Sequence, residues 1–254
     1  MRLIESFWVA LSTYSVIPSP QFEWNQRNMK YAICFFPAVG IVCGGLLALW
    51  CLLSTVLGIG SILFAVFAVC LPLLITGGIH MDGFMDTVDA LSSHQTRERK
   101  LEILKDPHLG AFAVIYCGVY LLASVGLMHE LSGAELIYGL CPAFVLSRSL
   151  SALCAVTMPN ARKAGMLCAF TENAGKTRAT AAMIVVLVLS AAAMVVISPV
   201  PGVVGVVLGL LTMLYYRKMA MKQFGGVTGD TSGYFLQLCE LMVMAGIWIG
   251  GLLV

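Results

Sequence analysis

Charged side chains are scarce in this 254-residue sequence. Asp, Glu, Lys and Arg make up only 11% of it, compared with about 25% in soluble domains. Hydrophobic residues account for 59%, and the mean hydropathy is +0.92. A water-soluble globule needs more polar surface than this to cover itself. The composition therefore excludes a disordered chain, a coiled coil and a secreted disulfide scaffold, and it predicts an integral membrane protein.

The sequence also lacks paired cysteines and a basic patch. Its nine cysteines form no C-x-x-C pair and mostly lie within apolar runs, which is typical of buried thiols rather than of a metal or disulfide framework. The 15 Lys and Arg residues are spread among short polar stretches, whereas a nucleic-acid interface needs them clustered. We therefore expect no nucleic acid among the partners of this protein.

Apolar runs long enough to cross a membrane are abundant. Seven are predicted, and residues 3–17 fit an additional amphipathic helix half inserted at the interface. We expect a single integral membrane domain over 1–254, an all-α polytopic helix bundle in the lipid bilayer. The predicted spans are 31–57, 61–79, 109–128, 134–157, 179–198, 202–216 and 235–254.

The basic residues indicate the orientation of the bundle. If the seven spans alternate, 14 of the 15 Lys and Arg residues fall on one side, and only Arg148 lies within a span. The positive-inside rule places that side, and the N-terminus, in the cytoplasm. The predicted cytoplasmic loops are 80–108, 158–178 and 217–234. The 14 residues are Arg2, Arg27, Lys30, Arg97, Arg99, Lys100, Lys105, Arg162, Lys163, Lys176, Arg178, Arg217, Lys218 and Lys222.

Three aspartates, Asp82, Asp86 and Asp89, lie within eight positions. On a helix, these spacings of four and three place the carboxylates within an arc of about 60°. Like charges so close together repel, and their flanking residues are apolar, so a bound cation is favoured. Oxygen ligands of this kind suit Mg²⁺ or Mn²⁺, held partly by substrate phosphates. The alternative is a solvated acidic face at the start of a loop.

Two further polar clusters precede predicted spans. Lys105, Asp106 and His108 lie before the third span and would stand at its mouth, although a charged membrane flank explains them equally well. The string FGGVTGDTSG at 224–233 enters the seventh span. Its glycines would let backbone amides approach a phosphate closely. Because all three clusters fall at the cytoplasmic ends of different spans, we expect them to converge on one pocket.

Two ionisable residues, Arg148 and Glu240, fall inside predicted spans, where charge is costly and indicates function by default. One interpretation is that the two side chains pair with each other structurally. In the other, Arg148 faces a cavity and binds phosphate through its planar guanidinium.

The motifs resemble one known family. The string GGIHMDGFMDTVD at 77–89 is similar to the signature of the adenosylcobinamide-GDP ribazoletransferases, also called cobalamin-5′-phosphate synthases. The strings RKLEILKDPHLG at 99–110 and GGVTGDT at 225–231 match as well, as does the opening, with FPAVG at 36–40. The resemblance covers essentially the whole chain, in order.

The resemblance implies transfer of the phospho-cobinamide group of adenosylcobinamide-GDP to α-ribazole or its 5′-phosphate, with release of GMP. It implies a Mg²⁺-dependent enzyme of a bacterial inner membrane, with its active site facing the cytoplasm, and leaves open a homo-oligomer or association with other cobalamin-assembly enzymes. The expected metal ligands are Asp82, Asp86 and Asp89. The expected catalytic residues are Asp89, Asp106, Asp230 and Lys105, with the general base open among the three aspartates. The expected substrate-binding residues are His80, Arg148, Gly225, Gly226, Thr228, Gly229 and Glu240.

Two alternative functions use the same aspartates. A CDP-alcohol phosphotransferase of lipid synthesis would also place clustered aspartates at span ends. A cation or proton transporter would bind its ion through them, although transporters usually place such charges near the bilayer midplane.

Overall fold

The computed structural model describes residues 2–20, 22, 25, 29, 31–131, 134–163, 165–173 and 175–254. This part of the chain is almost entirely helical, as predicted, with a short 3₁₀ turn at Ala32–Phe35. The helices are α1 (Arg2–Tyr14), α2 (Phe36–Leu57), α3 (Ser61–Thr76), α4 (Ile79–Ser92), α5 (Arg97–Ile103), α6 (Ala111–Glu130), α7 (Ala134–Leu140), α8 (Ala143–Thr157), α9 (Met166–Asn173), α10 (Lys176–Ile197), α11 (Pro199–Gln223) and α12 (Gly229–Gly251).

The apolar helices confirm a multi-pass membrane protein with six or seven crossings. Six helical segments in the described chain are long and apolar enough to span a bilayer, and the bent pair α3 and α4 supplies a seventh candidate. The sixth predicted span, 202–216, is too short, because α11 runs from Pro199 to Gln223. The seventh begins earlier than predicted, at Gly229. The six segments are Ala32–Leu57, Ala111–Glu130, Leu136–Thr157, Lys176–Ile197, Pro199–Gln223 and Gly229–Gly251.

Two glycines separate the second crossing from the helix of the three aspartates. Gly77 and Gly78 both have left-handed backbones, with φ of 61° and 77°, a conformation that costs a residue with a Cβ atom but not glycine. The chain turns there by 94° between α3 and α4. The helix of the three aspartates therefore runs nearly at a right angle to α3.

The polar motifs lie at one end of the bundle, the end at which α6 and α12 begin. We call it the motif end. The segments predicted as loops there are largely helical: 80–108 contains most of α4 and all of α5, and 158–178 contains α9. Arg97 donates to the carbonyl oxygen of Met221 (3.3 Å), and Lys100 donates to Gln223 (2.5 Å), which attaches α5 to the end of α11. Arg27 and Lys30, included in the charge count, lie outside the described residues.

Candidate active site

Glycines bring α4 against the start of α12. A Cβ atom added at Gly83 would lie 2.7 Å from the carbonyl oxygen of Asp230, and one added at Gly233 would lie 2.8 Å from the carbonyl oxygen of His80. Real Cβ atoms essentially never come this close to such atoms. The backbones of the two helices are therefore in contact, and this contact places α4 with its aspartates beside Asp230.

A short backbone pairing brings a second segment to α12. The N–H of Val227 donates to the carbonyl oxygen of Pro159 (2.9 Å), and the N–H of Ala161 donates to the carbonyl oxygen of Val227 (2.9 Å). Gly226 permits this approach, because a Cβ atom there would overlap the Pro159 oxygen. Two of the glycines predicted to approach phosphate thus have other neighbours: Gly226 accommodates the 159–161 segment, and Gly225 lies against the Arg97 side chain.

The start of α12 is fixed by a reciprocal cap. The Thr228 hydroxyl accepts from the N–H of Thr231 (3.1 Å), and the Thr231 hydroxyl accepts from the N–H of Thr228 (2.9 Å). Such a capping box satisfies donors that a helix end otherwise leaves unpaired. The cap sets where α12 begins, and so holds Asp230 at its second position.

The 159–161 pairing delivers Arg162 to Asp230. Its Nη1 lies 3.1 Å from Oδ2 of Asp230, and its Nη2 donates to the carbonyl oxygen of Leu101 (3.2 Å). The side chains of Arg162 and Asp230 are 22% and 26% exposed, so the pair remains within reach of a ligand. In the sequence, Arg162 stands out only as one basic residue of a loop. The one sign in the sequence that Arg162 could reach the site was the position of this loop next to the end of a span.

A cavity of about 220 Å³ connects these residues. Five of the predicted site residues line it, namely His80, Asp82, Thr228, Gly229 and Asp230, and His80 is 6% exposed. The lining residues that the sequence analysis missed are Tyr14, Ile33, Phe36, Ile79, Ser151, Ala152, Ala155, Asn160, Arg162, Gly165, Met166, Leu167, Cys168, Val227, Ser232 and Gly233.

The carboxylates at the motif end influence one another. The negative charges of Asp82, Asp230 and Asp89 act on the Asp86 carboxylate, and the positive charge of Arg162 opposes them. Among the described residues, no three acidic, His or Cys side chains are gathered closely enough to hold a metal by themselves.

Asp89 differs from the other two aspartates in its hydrogen-bond partners. Its Oδ2 accepts from the N–H of Gly110 (2.6 Å) and its Oδ1 from the N–H of Ala113 (2.8 Å). A carboxylate at a helix N-terminus satisfies unpaired donors and the positive end of the dipole. In the structure Asp89 thus binds the start of α6, and the metal-binding and catalytic roles expected for it stay predictions.

The cluster before α6 does not enter the cavity. The Asp106 side chain accepts from the N–H of His108 (2.9 Å) and contacts its ring Nδ1 (2.6 Å). These bonds lower the pKa of Asp106. Lys105, Asp106 and His108 are all exposed. The predicted convergence therefore holds for the first and third motifs, whereas this second cluster lies outside the cavity lining.

Arg148 and Glu240 form a buried ion pair. Nη1 of Arg148 donates to Oε1 of Glu240 at 2.6 Å, and the two side chains are 1% and 10% exposed. Ser147 also donates to Oε1 of Glu240 (3.3 Å). Neither Arg148 nor Glu240 lines the cavity. The pair fits the structural interpretation, a bond between α8 and α12, and the substrate-binding role of the two residues stays a prediction.

We expect Glu240→Gln to lower the free energy of unfolding by about 3–5 kcal/mol, because it leaves the Arg148 charge buried without its partner. Thermal unfolding of the protein in detergent would measure this loss. The double variant Arg148→Met, Glu240→Leu should recover part of the stability, since it removes both charges. A single variant as stable as the parent would contradict the structural role of the pair.

Comparisons with known proteins place the chain in a family. The family model described as cobalamin-5-phosphate synthase matches residues 6–248. An adenosylcobinamide-GDP ribazoletransferase of Lachnoclostridium phytofermentans is 46% identical, over 95% of this chain and 92% of that protein. Proteins of the same name from Desulfitobacterium hafniense (34% identical, 97% of both chains) and Pseudomonas fluorescens (32% identical, 95% of this chain and 98% of that one) are also similar. No solved structure is a significant match. With a match that spans nearly the whole chain and relatives above 30% identity over almost their full length, this chain belongs to the cobalamin-5-phosphate synthase family.

Proposed function

We propose that this chain transfers the phospho-cobinamide group of adenosylcobinamide-GDP to α-ribazole or its 5′-phosphate and releases GMP, with Mg²⁺ as cofactor. The observation that carries the proposal is the cavity that holds Asp82, Asp230 and Arg162 together at the motif end. The names of the relatives supply the substrates. We further propose that the motif end faces the cytoplasm at the inner membrane, because the described Lys and Arg residues of the connections lie at that end.

The acidic residues at the motif end fit a hard divalent cation. Asp82, Asp86 and Asp230 act electrostatically on one another, and their oxygens are the ligand type that Mg²⁺ prefers. Mg²⁺ is usually held by one or two carboxylates, with substrate phosphates and water completing its shell, so an incomplete protein set is the expected arrangement. Asp82 and Asp86 would hold the ion, which neutralises charge on the diphosphate and on the leaving GMP.

Arg162 takes the phosphate-binding role that was expected of Arg148. Its guanidinium lines the cavity, and Asp230 and the Leu101 carbonyl hold it in place. A planar guanidinium binds phosphate oxygens through two parallel hydrogen bonds. Arg162 would thereby orient the diphosphate and stabilise negative charge that develops on it during transfer.

Asp230 is the general base in this proposal. Of the three aspartates left open for that role, Asp89 is bound to α6 and Asp106 to His108, whereas Asp230 lines the cavity. A base must lie within hydrogen-bond reach of the proton that it removes. Asp230 accepts the proton of the ribose hydroxyl. The hydroxyl oxygen forms a bond to the phosphorus that bears the cobinamide, and the bond from that phosphorus to the GMP oxygen breaks.

The proposal is tested by GMP release. Membranes containing this chain, incubated with adenosylcobinamide-GDP, α-ribazole and Mg²⁺, should release GMP and form the joined corrinoid in equal amounts, and EDTA should abolish both. Membranes without the chain serve as the control. Transfer from a CDP-activated lipid instead would support the phosphatidyl-alcohol alternative, and cation flux into vesicles without transfer would support the transporter. Either result would refute the proposal.

A further inference from the structure

The cavity at the motif end has two walls of different chemistry. Asn160, Arg162 and Asp230 lie at the end of the bundle, because the first two follow the end of α8 and the third begins α12. Ser151, Ala152 and Ala155 also line the cavity, but they lie within the span that ends at Thr157. The cavity therefore runs from a charged mouth to an apolar wall at the depth of the spans.

Aromatic rings close the deep part. The Tyr14 and Phe36 rings lie 4.4 Å apart, centroid to centroid, and the His80 ring stacks on Tyr14 at 6.2 Å with an interplanar angle of 23°. Phe36 also meets His80 edge to face at 5.5 Å. Flat ring walls of this kind favour a flat aromatic ligand, since offset and edge-on contacts between rings are favourable.

His80 carries one unused hydrogen-bonding atom beside this space, buried from the cavity in the present ring orientation. The residue is 6% exposed, it lines the cavity, and its buried Nε2 has no hydrogen-bond partner among the described residues. A buried polar atom without a partner is uncommon in a folded protein and requires an explanation. A ligand with a single ring nitrogen at the right place would satisfy it.

The size and polarity of the deep part distinguish between the two aromatic bases in the reaction, the guanine of the donor and the benzimidazole of the acceptor. At about 220 Å³ the cavity is smaller than the roughly 300–1,000 Å³ of pockets for drug-sized ligands, so it fits a nucleoside-sized part and not a corrinoid. Guanine carries several donors and acceptors along its edge, and each needs a partner when buried. Of the residues named above for the deep part, Tyr14, His80 and Ser151 carry side-chain oxygen or nitrogen. A dimethylbenzimidazole has one free ring nitrogen and otherwise apolar edges.

We infer that the deep part of this cavity binds the benzimidazole base of the acceptor nucleoside, with the His80 ring turning so that Nε2 donates to the free ring nitrogen of the base. The inference rests on the proposed function, and it identifies which substrate occupies the cavity. A base seated between Tyr14, Phe36 and Ala155 directs its ribose toward the charged mouth, where Asp230 lies. The guanosine of the donor then lies outside the deep wall.

The test compares His80→Phe with His80→Gln in purified protein. Phe keeps the ring that packs on Tyr14 and Phe36 but removes the donor, whereas the amide nitrogen of Gln replaces Nε2. We expect His80→Phe to raise the KM for α-ribazole about tenfold or more, with the KM for adenosylcobinamide-GDP unchanged, and His80→Gln to recover most of the loss. An increase in the KM for the donor instead, or no change in either KM, would overturn the inference.

A second variant addresses the fit without changing a polar group. Ala155→Leu adds a larger side chain to the deep wall. It should weaken the binding of α-ribazole more than the binding of the riboside of unsubstituted benzimidazole, which lacks the two methyl groups. Ala181→Leu, on the exposed face of α10, is the matched control and should leave both acceptors unaffected. Equal losses for both acceptors would contradict the assignment. GMP release by the parent protein reports the proposed function separately, so a parent that transfers while these variants show no acceptor effect would overturn only the inference.

Discussion

Asp82→Asn should reduce GMP release in membranes by at least about a hundredfold, with the amount of protein in the membrane unchanged. Asp82 lines the cavity and is exposed, so its charge serves a ligand instead of the packing of α4. Among the neighbouring carboxylates, Asp82 also has the largest electrostatic effect on Asp86. Replacing it with an amide removes a ligand for Mg²⁺ while keeping the shape of the side chain. Initial rates of GMP release at saturating substrates measure the effect.

Glu98→Gln is the matched control for this substitution. Glu98 is an exposed carboxylate on α5 at the same end of the bundle, so its neutralisation changes the local charge by the same amount outside the cavity. We expect activity close to that of the parent. If Asp82→Asn also retained near-parental activity at low Mg²⁺ concentration, the proposed role of Asp82 in holding the metal would be wrong.

Gly83→Ala should also reduce transfer strongly, by about a hundredfold, although it changes no polar group. The added methyl group would lie 2.7 Å from the Asp230 oxygen and 2.9 Å from its Cα, both backbone atoms. Because backbone cannot rotate away as a side chain does, α4 must move from α12, which separates Asp82 from Asp230. A displacement of about 1 Å can cost a hundredfold in rate when reacting groups must be aligned. Initial-rate measurements on purified protein test this.

Gly118→Ala provides the comparison. Gly118 also lies inside a helix, α6, but a Cβ atom there meets nothing within 4 Å. Since alanine favours helix more than glycine does, this variant should be as stable as the parent and equally active. Parental activity in Gly83→Ala would show that the site tolerates a wider spacing of α4 and α12, and that their contact does not set the catalytic geometry.

The crossings could be predicted well because hydropathy is a local property. A run of apolar residues must leave water whichever helices surround it, so the spans follow from composition in a window. The errors in the predicted spans occur at their ends, where charged, polar and glycine residues extend the helix beyond the apolar run. The last span begins at Gly229 and not at residue 235, because the Thr228–Thr231 cap makes a helix start out of a glycine-rich polar string.

The roles of individual charged residues could be predicted less well. Asp82 and Asp89 have the same side chain and lie on the same helix face, yet one lines the cavity and the other binds the backbone of α6. The spacing between them is equally consistent with both roles. The difference depends on which helix packs beside each carboxylate. Because that helix is distant along the chain, the local spacing of the aspartates carries no information about it.

The sequence alone thus determined an all-helical membrane bundle, the number of its apolar runs and the gathering of two of its polar motifs at one end, because hydropathy and alternation of spans require nothing beyond the chain itself. Only the tertiary structure decided that Arg148 pairs with Glu240 and that Arg162 faces Asp230. Those pairs depend on contacts of a few ångströms between segments distant along the chain, and Gly226 allows the backbone before Arg162 to meet the start of α12.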